Sequence, residues 1–170
     1  MFRLLAFLAS PAGAMGEAEV DAWMPSPREL ADMERRYMMH RRFGGVYDFT
    51  SFSARAFLKL GRDDDAYELS KITVSPEQQT EKKTTLVACH SILGQVVAKR
   101  GNLEEADGHF TKALEEARLS RLPMVEVLAA RDWKKYALAG RDCSVPEATI
   151  DAACAKMKKT REQLASVLLS

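Results

Sequence analysis

The chain has 170 residues, long enough to bury a hydrophobic core as one domain without disulfide or metal staples. With 25 basic and 24 acidic residues the formal net charge is +1, so no global field draws the protein toward nucleic acid or an anionic membrane, and any charge signal must be local. The three cysteines, Cys89, Cys143 and Cys154, are an odd count, show no Cys-x-x-Cys spacing and sit in helical patterns, so they read as free thiols in a reducing compartment, and the cytoplasm is the expected setting.

Residues 1–25 read as an apolar leader and linker. One arginine precedes a short apolar core from Leu4 to Ala9, and Ala12-Gly13-Ala14 has the look of a signal-peptide cleavage site. That core is too short for a secretory signal, so a short helix that packs or frays is the better reading. Val20, Trp23 and Met24 are the side chains in this arm able to dock or to support self-association. Nowhere does an apolar run reach the length of a membrane span.

Residues 26–45 form the N-terminal helix. Ser26-Pro27-Arg28-Glu29 supplies a cap, a first-turn proline and a capping-box glutamate; Leu30, Met33, Tyr37 and Arg41 follow around the helix, and Gly44-Gly45 ends it. The same grammar recurs at Ser75-Pro76-Glu77-Gln78 and, with proline one place later, at Ser144-Val145-Pro146-Glu147, marking re-entry into helix. Strand patterns are almost absent, so the fold class is all-α.

The centre of the chain is a helical hairpin. Cys89, Leu93, Val96 and Val97 share one side of a first helix, Gly101-Asn102 breaks it, and Leu103, Ala106, Phe110, Ala113, Leu114 and Ala117 line the second. Gly94, Ala106 and Ala113 allow the backbones to approach while Phe110 fills the space beside them. An internal offset of 40 places Gly61 on Gly101, Ala66 on Ala106, Phe57 on Val97, Ala54 on Gly94 and Thr73 on Ala113. Looking forward, Val127, Ala130, Trp133 and Ala137 repeat Val87, His90, Leu93 and Val97, and Gly140 supplies the next turn. A closing helix from about Pro146 carries Ile150, Cys154, Met157, Leu164 and Leu168, broken by Arg161, as a terminal cap.

The order Leu93-Gly94, Gly101, Ala106, Phe110, Ala113 resembles the tetratricopeptide helix pair, in a variant with longer helices; the resemblance covers about residues 46–168. It implies a short right-handed α-solenoid of antiparallel helix pairs with about seven helices, acting as a scaffold for other proteins. It also implies that the first helix of each pair lines a concave groove. The positions that would face it are Ser91, Gln95 and Lys99, then Ser51, Arg55 and Lys59 one repeat earlier and Arg131, Lys135 and Ala139 one later, each trio at i, i+4, i+8. The expected partner-binding set is Arg55, Lys59, Gln95, Lys99, Arg131 and Lys135, a basic stripe with no acid among these positions, suited to an acidic or extended peptide segment or a terminal carboxylate. The asparagines with which chaperone-binding members of the family clamp a carboxylate are not matched.

A second basic cluster, Arg35, Arg36, His40, Arg41 and Arg42 with Tyr37 and Phe43 interleaved, gives the alternative of an RNA-binding solenoid, against the plainer reading of a solvated helix face. Signatures of phosphate loops, nucleophile elbows and zinc helices are missing. Cys89 and His90 are neighbours in a helix and point about 100° apart, which prevents a dyad. His90 is expected as a packed or partly buried ring and His109 as an exposed one. No metal spacing is present, and Asp63-Asp64-Asp65 reads as acids in a first helical turn. The expectation is a noncatalytic module with no cofactor and no metal.

Overall fold

The computed structural model describes residues 22, 24–32, 49–76, 82–138 and 141–164. No strand occurs among them and the architecture is all-helical. Among the described residues Ala22 is helical, and the longer helices are α1, described over residues 27–32; α2, Phe49–Lys59; α3, Asp63–Thr73; α4, Lys83–Lys99; α5, Leu103–Ser120; α6, Pro123–Tyr136; and α7, Ser144–Met157. A 3-10 turn, Glu162–Leu164, follows. No helix among the described residues is long and apolar enough to cross a membrane. The chain divides between residues 80 and 81 into two compact units.

In the first unit, α1 starts with the capping box that its sequence announces. The Glu29 amide donates to Ser26 Oγ at 3.3 Å, and the Ser26 amide donates back to Glu29 Oε2 at 2.9 Å, satisfying two amides that a bare helix start leaves unpaired. The Ser26 hydroxyl also donates to Glu29 Oε2 at 2.7 Å, and this bond, then the one from the Ser26 amide, holds the Glu29 carboxyl below its ordinary range. Arg28 reaches Glu68 of α3 at 3.1 Å. Helices α2 and α3 pack as a hairpin over Ala54, Phe57, Ala66 and Leu69, all fully buried. Asp63, Asp64 and Asp65 occupy the first turn of α3, where the helix dipole favours acids. Met33, Tyr37, Arg41 and the Gly44-Gly45 stop lie outside the described residues, as does the leader 1–21.

The second unit runs α4 to α7. Helix α4 packs on both α5 and α6, which accounts for burial almost all the way round it, from Thr85 and Val87 to Val96 and Val97. Helix α5 also packs on α6, and α6 on α7. One apolar cluster joins Val87, Ala113, Leu114, Ala117 and Ala129, with Val125 and Trp133 beside it; another joins Val127, Ala130, Ile150, Ala153, Cys154 and Leu164. Polar contacts also link the second unit's elements. Trp133 Nε1 donates to Asp107 at 2.8 Å, Arg141 reaches the other oxygen of the same carboxylate, and Lys156 holds the buried Glu126 at 2.8 Å.

The hairpin turns repeat at an offset of 40, since α2 and α4 end at Lys59 and Lys99 and the next helices start at Asp63 and Leu103. Gly61 and Gly101 both take positive φ, 73° and 85°. Their hydrogen bonds correspond one for one: Gly61 to Leu58 and Arg62 to Phe57, then Gly101 to Ala98 and Asn102 to Val97. This is the Schellman closure of a helix end. The starts of α4 and α6, Lys83 and Pro123, keep the same offset.

The re-entry into helix expected at Ser75-Pro76-Glu77-Gln78 runs into residues 77–81, outside the described residues, and α4 itself begins at Lys83, with Lys82 as its cap residue and no capping side chain. Three expectations need correction. The start of α7 at Ser144 is tied by Asp142, which accepts the Ser144 amide at 2.8 Å, while Glu147 is drawn instead to Lys134 and Arg161. That helix stops at Met157, so Leu164 reaches the core from the 3-10 turn rather than along one continuous stripe. Leu103, expected inside the hairpin, is 39% exposed because it opens α5 beyond the reach of α4.

Candidate functional site

The polar rows of the second unit lie on α4 and α6. On α4, one turn apart, come Ser91, Gln95 and Lys99; on α6 come Arg131 and Lys135. Small and branched residues around them, Ile92, Val96, Val127 and Ala130, are buried, which fixes the rotation of both helices.

Packing α4 on α6 makes a polar junction. Gln95 Nε2 donates to Asp132 Oδ2 at 3.4 Å, and Arg131 donates to Asp132 Oδ1 through Nε at 2.9 Å and Nη2 at 2.6 Å. Asp132 is buried, so its charge depends on this partner for compensation. Arg131 therefore carries a structural duty, and the stripe expected to be free of acid has one beneath it. Sequence reasoning missed Asp132 because its place beside Gln95 exists only once two distant helices meet. Ser91, expected to face the groove, is 3% exposed, and Ser51 in the first unit is likewise buried. One turn beyond Gln95 and Arg131, Lys99 and Lys135 are exposed, and the Lys135 ammonium lies 5.5 Å from the Tyr136 ring centre.

In the first unit Arg55 is exposed and Lys59 half-buried on α2. Arg35, Arg36, Arg41 and Arg42, the set proposed for nucleic acid, lie outside the described residues, as does Ala139.

The titratable groups of the α4–α5 seam form a separate cluster. His90 and His109 face each other with ring centres 5.8 Å apart and planes inclined by 32°. Burial, then His109 and Lys112, push His90 down to about 4 against a smaller pull from Glu116. His109 is lowered by burial, with Glu105 opposing and Lys112 adding to the effect. It is not the exposed ring expected, since its side chain keeps 19% exposure. No group of three or more metal-binding side chains converges among the described residues.

No family model, curated protein or solved structure matches the chain.

Proposed function

We propose that this protein is a noncatalytic interaction module of tetratricopeptide-like design, a scaffold that takes an extended acidic segment of another protein along the α4–α6 face of its second unit. The observation supporting this reading is the side-by-side packing of α4 and α6, which sets Gln95 and Lys99 on one and Arg131 and Lys135 on the other, with Lys99 and Lys135 exposed. A carboxylate arriving there finds ammonium donors for charge-assisted bonds and a fixed amide in Gln95. Arg55 and Lys59 hold the equivalent places on α2, and the same chemistry is proposed for them within the first unit. The setting proposed is the cytoplasm.

The test is fluorescence anisotropy of a labelled, extended Glu/Asp-rich peptide with the full chain and with a Lys99→Glu/Lys135→Glu double variant. Arg131 is left intact because reversing it strands the buried Asp132. Saturable binding by the wild type, weakened about tenfold or more in the variant, a difference of about 1.4 kcal/mol, supports the assignment. Equal binding by both removes it. Retention of single-stranded RNA that ignores those two changes but is lost on replacing Arg35, Arg36, Arg41 and Arg42 moves the function to the N-terminal helix.

A further inference from the structure

We infer that the facing imidazoles of His90 and His109 make the α4–α5 hairpin a proton-sensitive clasp, closed while both rings are neutral and weakened as acid drives protons onto them.

The rings come from the two helices of one hairpin and meet at 5.8 Å, so two protons place two like charges in one half-buried seam. Both Nδ1 atoms are buried and have no hydrogen-bond partner, which leaves an added proton there without an acceptor. The neighbouring charges give little relief. From α5, Lys112 opposes protonation of both rings, while Glu116 favours it at His90 and Glu105 at His109. Glu116 is already engaged by Lys83 at 2.9 Å, and Glu105 stands 3.9 Å from His109 Nε2 while accepting from Asn102. On α6, which also packs against α4, the buried acids Glu126 and Asp132 are held by Lys156 and by Arg131 with Gln95.

The sign follows from linkage. Both histidines are lowered from an ordinary value of 6.5, so the unfolded chain binds their protons first and stability falls as pH falls. The contribution is complete above about 6.5 and is lost as pH falls toward about 4, the folded value of His90. Glu147 and Asp151 are held below the carboxylate range, Glu147 by Lys134 and Arg161 and Asp151 by Arg161, so their contributions begin to fall only below their ordinary values of 4.5 and 3.8, beneath most of this window.

The experiment follows the imidazole proton resonances of the full chain by NMR from about pH 8 to about pH 4, beside urea denaturation of wild type, His90→Gln and His109→Gln at about pH 7 and about pH 5. The expected result is a His90 ring that stays neutral well below 6.5 while the chain is folded, a His109 ring lowered in the same direction, a wild-type midpoint that drops on acidification, and a smaller drop in His90→Gln. Rings that titrate near their ordinary value, or variants that keep the full wild-type drop, overturn the proposal. If the variants do not fold, the wild-type titration decides alone.

Discussion

At Gly94 the missing side chain has a definite use. A Cβ there would lie 2.8 Å from the Phe110 ring, and Phe110 is itself fully buried, so neither partner has room to give. Gly94→Ala gains about 1 kcal/mol of helix propensity but meets an overpacking cost of about 1–3 kcal/mol, and the net effect is a loss of stability. Gly108 provides the control: it lies within α5, is exposed, and a Cβ there touches nothing within 4 Å. Gly108→Ala should raise stability by about 0.5–1 kcal/mol. Urea denaturation of the two variants checks both signs at once. The sequence made Gly94 legible because a small residue opposite an aromatic at hairpin spacing has few other uses. The burial of His109 was not legible, because a polar residue between Gly108 and Phe110 gives no sign that α4 will present His90 to it.

At the level of the elements, turn chemistry was easier to read than helix starts. Gly61 and Gly101 mark helix ends because a Schellman closure needs positive φ, which glycine adopts without strain. A third closure ends α7, with Lys158 N–H to Ala155 and Lys159 N–H to Cys154, and there Lys158 holds φ 53°. Opposite exchanges should have opposite outcomes: Gly101→Ala should cost about 1–2 kcal/mol and Lys158→Gly should recover up to about that amount, both read from denaturation midpoints. Serine followed three residues on by glutamate was a true capping box at Ser26 but not at Ser144, where Asp142 ties the first turn and Lys134 and Arg161 claim Glu147. The difference lies in tertiary partners, which local sequence does not carry. Arg161 also reaches Asp151 at 2.6 Å, so the residue that interrupts the apolar stripe is the one that fastens the 3-10 turn.

Across the whole molecule, the two units carry the same hairpin turn with different interiors. Where the second unit has Leu93 and Phe110, the first has Ser53 and Ser70 at the same offset, both fully buried with hydroxyls that lack hydrogen-bond partners. Buried unsatisfied hydroxyls in place of apolar contacts weaken a hairpin. Backbone amides of α2 and α3 should therefore exchange with solvent faster than those of α4 and α5 under native conditions; equal or reversed protection would contradict that ranking. The all-α class was legible from periodicity alone. The rows of the candidate surface came from what the tetratricopeptide resemblance implies, which did not carry the depth at which each side chain sits: Ser91 and Asp132 are buried, while Lys99 and Lys135 remain at the surface. The most direct test of the binding role is NMR shift mapping of the isotope-labelled full chain titrated with the Glu/Asp-rich peptide. Saturable shifts centred on the amides of Gln95, Lys99, Arg131 and Lys135 are expected; an unperturbed α4–α6 face, with shifts elsewhere or none at all, contradicts the binding role.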